Sequence, residues 1–91
     1  MSVVLEVFSG DPPCPGCVAV LAMADRLAEA YPESELTVKK YVGEDALEKY
    51  AEYNLSCVPA LVINGVIKVE GMAPDGGTMN NALREGGLWI R

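Results

Sequence analysis

The stretch Val3-Val4-Leu5-Glu6-Val7-Phe8, followed after a Gly- and Pro-bearing interval by Cys14-Pro15-Gly16-Cys17-Val18, changes its periodicity within a few residues. Residues 3–8 are dominated by Val, Leu and Phe, as expected of a strand buried on both faces. From Pro15 onward, Cys17, Val20, Leu21, Ala24, Leu27, Ala28 and Tyr31 recur at three- and four-residue spacings. That is one apolar helix stripe, and Pro32 ends it. Cys14 and Cys17 therefore stand where a strand hands over to a helix. At a helix start, backbone N–H groups and the dipole favour negative charge, so the pKa of Cys14 is expected to fall. Two cysteines at this spacing can close a disulfide and reopen it.

Downstream, Leu36-Thr37-Val38-Lys39-Lys40-Tyr41-Val42 reads as a second strand. Ala46, Leu47, Tyr50 and Ala51 mark a shorter helix, with Glu44 and Asp45 suited to its first turn. Pro59-Ala60-Leu61-Val62-Ile63 and Val66-Ile67-Lys68-Val69 flank Asn64-Gly65. Asn-Gly between apolar runs is a strong hairpin signal, because a type I′ turn needs positive φ at both positions. A last helix has Asp75 or Thr78 as its cap, Met79, Ala82 and Leu83 inward, and Gly86-Gly87 at its end. Leu88, Trp89 and Ile90 form an apolar tail expected to fold back on the core. The order is strand–helix–strand–helix–strand–strand–helix. A right-handed crossover makes strands one and two parallel, and the hairpin adds an antiparallel pair, giving a four-stranded mixed sheet covered on both faces.

Length and composition bound what such a chain can do. Its 91 residues make one small domain, 1–91, with a single modest core. No apolar run approaches the roughly 18 residues that span a membrane, so no membrane role is expected. Met1-Ser2-Val3 has neither a basic nor an apolar signal region, so secretion by a signal peptide is not expected. Three cysteines are an odd count that a secreted disulfide scaffold rarely leaves, which favours a cytoplasmic redox or metal role. The net charge of −6 argues against nucleic acid. It reads as a solvated surface, or else as a field that steers basic partners.

The element order, Cys14-Pro15-Gly16-Cys17 opening the first helix and Val58-Pro59 opening the third strand resemble the thioredoxin and glutaredoxin superfamily over nearly the whole chain. Leu36-Thr37-Val38-Lys39-Lys40, followed through to Val58-Pro59-Ala60-Leu61 and Asn64-Gly65, is especially similar to thioredoxins. The short length is more similar to glutaredoxins or to small glutaredoxin-like thioredoxins. The resemblance implies an α/β, thioredoxin-like fold in the order βαβαββα, and a thiol–disulfide oxidoreductase that reduces protein disulfides. Cys14 then corresponds to the nucleophile that forms a mixed disulfide, and Cys17 to the thiol that resolves it. Pro15 and Gly16 correspond to the residues that set the redox poise and, with Val58 and Pro59, to the substrate-binding surface. Pro59 corresponds to the family's cis-proline, which frees the Val58 backbone to pair with an extended substrate. The implied partners are oxidised proteins and an electron donor, either a thioredoxin reductase or glutathione. No cofactor beyond the dithiol is implied, and the protein is expected to be a cytoplasmic monomer.

Other readings compete with this one. A static Cys14–Cys17 crosslink would close so small a loop that it contributes only about 2 kcal/mol. A thiolate metal or iron–sulfur module would use the CxxC plus Cys57. Zinc wants four ligands, however, and the chain has no His and one further Cys, so no metal site is assigned. Cys57 itself reads as a small half-buried hydrophobe, or as an auxiliary third thiol near the CxxC. Lys40 matches a central-strand lysine of many thioredoxins, where it neighbours a buried aspartate; Phe8 stands at that aspartate's position here. Lys40 is therefore either auxiliary to the dithiol or an exposed strand residue. Asp11-Pro12-Pro13 replaces the tryptophan segment of thioredoxins, and Asp11 reads as a loop residue. Gly71 resembles the glutathione-contacting glycine turn of glutaredoxins, although Met72-Ala73-Pro74 departs from their pattern.

Overall fold

The computed structural model describes residues 3–55, 57–71 and 74–88. Strand β1 (Val3–Ser9) is followed by helix α1 (Pro15–Ala30), strand β2 (Leu36–Val42) and a 3₁₀ turn (Gly43–Ala46) that leads directly into helix α2 (Leu47–Glu52). Strands β3 (Ala60–Ile63) and β4 (Ile67–Glu70) form the hairpin, and helix α3 (Gly76–Glu85) closes the fold. The sheet order is β2-β1-β3-β4, with β1 parallel to β2 and antiparallel to β3. This is the four-stranded mixed sheet with three helices that the element order implies.

Central placement explains why β1 is so apolar. Val3, Leu5 and Val7 face one layer, where they pack with Val20 and Ala24 of α1, Met79 and Leu83 of α3, and Leu61 and Ile63 of β3. Phe8 faces the other layer, with Ala46, Leu55, Ala60 and Val62 and the half-buried Tyr41, Tyr50 and Tyr53. Each fully buried aliphatic side chain of this kind contributes roughly 1.5–3 kcal/mol, so the two layers hold α1 and α3 on one face and α2 on the other. β2 and β4 are the sheet's edges, and lysines stand on both: Lys39 and Lys40 on β2, Lys68 on β4.

Local chemistry sets the element ends. Asn64 and Gly65 have φ of 54° and 72°, the paired positive values of the expected turn. Asp75, not Thr78, caps α3, its carboxylate accepting the Thr78 N–H at 2.7 Å. Gly86 and Gly87 end that helix, and Leu88 is buried against the core as expected. Trp89 and Ile90 lie outside the described residues.

Two stripe readings are corrected by the packing. Ala28 is exposed, because the buried face of α1 is the narrower set Cys17, Val20 and Ala24. Leu47 is 65% exposed and Ala51 is exposed as well. The short second helix is held through Ala46 and Tyr50 instead.

Candidate functional site

The topology gathers three chain segments at one end of the sheet. β1 ends at Ser9, opposite Val42 of the parallel β2, and Phe8 lies opposite Ala60 at the start of the antiparallel β3. The loop into α1, the loop after β2 and Val58-Pro59 therefore converge. Gly43 sits against Asp11, and Gly10 approaches Val58, so the middle loop touches both of its neighbours.

Cys14 is the N-cap of α1, with extended φ and ψ of −71° and 167°. Its sulfur accepts the Cys17 N–H at 3.1 Å, and its carbonyl accepts the Val18 N–H at 2.9 Å. Pro15 occupies the first helical position, where its missing N–H costs nothing. Cys14 and Cys17 are joined as a disulfide with Cα atoms 4.8 Å apart. The two sulfurs differ in access: Cys14 is half-buried, whereas Cys17 is fully buried. A helix-start N–H and the helix dipole both point at Cys14, an arrangement that favours a negative sulfur there once the bond opens.

Pro59 packs directly on this turn. A β-carbon at Gly16 would lie 3.1 Å from Pro59 Cγ and 3.2 Å from its Cδ. The Val58–Pro59 bond is cis, as the resemblance implies, and Pro59 is buried while Val58 is 38% exposed. The Pro59 carbonyl accepts the Gly71 N–H at 2.8 Å. A second cis bond, Asp11–Pro12, has no counterpart in the sequence reading. Asp11 and Glu44, both exposed, rim an open polar cavity of about 420 Å³ beside the loop.

Cys57 is an exposed free thiol, which corrects its reading as a half-buried hydrophobe. It stands two residues before Pro59, its sulfur 3.1 Å from where a β-carbon on Gly71 would stand. Among the described residues no three Cys, Asp or Glu side chains come together as a metal-holding group. Cys14, Cys17 and Cys57 are all described, so the module built on three thiolates finds no support in their placement. Lys40 is exposed and pairs with Asp25, on α1 eight residues beyond Cys17. Eight helical residues are about 12 Å, which puts that ion pair well down the helix from the dithiol.

Phe8 is fully buried and stacks on Tyr41 with ring centroids 5.0 Å apart, so no acid stands at that position. The buried carboxylate on this face is Glu6, one strand repeat further from the dithiol and only 4% exposed. It accepts hydrogen bonds from the hydroxyls of Tyr41, at 2.9 Å, and Tyr53. Burial, reinforced by this bond, raises the Tyr41 hydroxyl above its ordinary pKa. For Tyr53 the bond to Glu6 leads and burial adds to it, and the hydroxyl is pushed up to about 12. The sequence reading missed this network; its signal was one glutamate inside an otherwise apolar central strand.

A dithiol with one accessible and one buried sulfur, capping a helix beside a buried proline on this sheet, defines a class, the thiol–disulfide oxidoreductases of thioredoxin fold. A family model described as Thioredoxin domain matches residues 3–84. A probable thioredoxin from Methanothermobacter thermautotrophicus is 35% identical over 71 residues, covering 78% of this chain and 81% of its own. One from Methanothermobacter marburgensis is 34% identical over the same shares. Among solved structures, a malarial protein aligns with a TM-score of 0.77 at 10% identity, over 97% of this chain and all of its own. The thioredoxin Mala s 13 of Malassezia sympodialis aligns at 0.72 and 16% identity, over 94% and 76%. At those identities the two structures share the fold. The chain belongs to the thioredoxin domain family.

Proposed function

We propose that this protein reduces disulfides in other proteins through Cys14 and Cys17. The observation that carries the reading is the asymmetry of the pair: Cys14 is accessible at the helix cap, and Cys17 is buried one turn inside. In the reduced protein the Cys14 thiolate attacks one sulfur of a substrate disulfide. An S–S bond forms between Cys14 and the substrate, and the other substrate sulfur leaves as a thiolate that takes up a proton. Cys17, having lost its proton, then attacks the Cys14 sulfur. The mixed disulfide breaks, the second substrate thiol is released, and the Cys14–Cys17 disulfide re-forms. Two electrons pass to the substrate, and a reductase or glutathione returns them.

Val58 and Pro59 support this reading as a platform, because an extended substrate segment can lie along Val58, itself 38% exposed, while its sulfur meets Cys14. Pro15 and Gly16 complete that surface. The proposed setting is the cytoplasm, with the protein acting as a monomer.

Cys14→Ser is expected to abolish reduction of a protein disulfide, and Cys17→Ser to accumulate a covalent substrate adduct visible by mass spectrometry. Retained turnover in Cys14→Ser would sink the proposal. Supplying a thioredoxin reductase with NADPH, or glutathione, in parallel assays identifies the donor.

A further inference from the structure

Gly16 is the second residue of α1 and carries no left-handed φ, so its backbone is one that any residue adopts. Glycine inside a helix costs roughly 0.5–1 kcal/mol relative to alanine, so conformation alone does not call for it. What the missing side chain provides is room. A β-carbon there would press within 3.1–3.2 Å of two atoms of the Pro59 ring, closer than ordinary van der Waals contact. Pro59 is also held through its backbone. Gly71, at φ 81°, donates its N–H to the Pro59 carbonyl, and Cys57 sits close over that same glycine. The segment Cys57-Val58-Pro59 is thus in close contact with Gly16 at the proline ring and with Gly71 at the proline carbonyl and the Cys57 sulfur.

We infer that Gly16 is a positioning residue, which sets how closely the Val58-Pro59 platform approaches the dithiol and thereby how well a protein substrate is held for attack. The inference rests on the proposed disulfide-reductase reading. A methyl group at position 16 must displace either the start of α1, with both sulfurs, or Pro59, with Val58 attached. A shift of a few tenths of an ångström leaves both thiols and their chemistry intact. It misaligns the substrate chain relative to the Cys14 sulfur.

The test is a double-mutant cycle on Gly16→Ala and Pro59→Ala, read as KM and kcat for a protein disulfide and for the small disulfide DTNB. In the Pro59 background, Gly16→Ala raises KM for the protein disulfide by about 3- to 10-fold, in line with the cost of sub-ångström misplacement, and affects DTNB less. In the Pro59→Ala background, where the ring is gone, the same substitution has no further effect. An unchanged KM for Gly16→Ala, or the same loss in both backgrounds, overturns the inference. If Gly16→Ala does not fold, far-UV circular dichroism of the double variant decides: recovery of helix supports the steric pairing, and continued loss overturns it. Turnover by Cys14→Ser in the same assay would fail the reductase reading itself, so the two failures are distinguishable.

Discussion

Tyr53 donates its hydroxyl to Glu6 from a position 47 residues later in the chain, tying the end of α2 to the middle of the central strand. Tyr41 donates to the other oxygen of the same carboxylate. A carboxylate buried this deeply is costly unless its oxygens find donors, so the two tyrosines are what let Glu6 stay in the layer. Tyr53→Phe removes one donor from a buried charge and is expected to lower stability by about 1–3 kcal/mol. Denaturant unfolding at neutral pH measures it. An unaltered midpoint would mean that water replaces the hydroxyl at no cost.

The same network predicts an alkaline limit. Both hydroxyls titrate above the ordinary value of 10.0, Tyr53 at about 12, because the folded state favours their protonated forms. Their contribution to stability is present in full below the unfolded pKa and is lost as pH rises through the folded values. Stability should therefore fall between about pH 10 and pH 12, together with the rise in tyrosinate absorbance, and the fall should shrink in Tyr53→Phe. A fall completed below pH 10 would assign alkaline unfolding to other groups.

Much of this molecule is legible in its sequence. The period change between Phe8 and Val18 locates the dithiol on its strand-to-helix junction, and Asn64-Gly65 adopts the φ values that its residue types favour. These are local effects, settled within a few residues. What the sequence hides depends on distant partners. Glu6 looks like an ordinary interruption of an apolar strand until Tyr41 and Tyr53 arrive from later elements. Gly16 reads as a residue that sets the redox poise until Pro59, far along the chain, is packed against it. Cys57 shows the same limit in reverse. Free cysteine is usually buried, but the loop before Pro59 carries this one to the surface.

That exposure gives a count. In the oxidised protein one thiol, Cys57, is expected to react with a thiol reagent under native conditions, and three after reduction and denaturation, which uncovers Cys17. Cys57→Ser should bring the first number to zero and leave protein-disulfide reduction intact. A fall in turnover to the level of Cys17→Ser would instead make Cys57 a working third thiol.

Lys40 provides a separate check on what activates the dithiol. Its ion pair with Asp25 is exposed on both sides, and such pairs contribute at most about 1 kcal/mol. Lys40→Ala is expected to shift stability within that range and to leave the pH dependence of turnover where it stands. A displaced pH profile would tie Lys40 to the sulfurs despite its pairing along α1.

The lysines on β2 and β4 have a consequence for how the protein behaves in a crowd. An edge strand offers unpaired backbone groups that any extended chain could zip onto, and lysine is a common guard against this, since a newcomer would have to cover an ammonium. Both long borders of this sheet are guarded in this way. Val58, 38% exposed just ahead of β3, lies away from both borders. With both borders closed to newcomers, the sheet stays at four strands and its copies find little to zip onto.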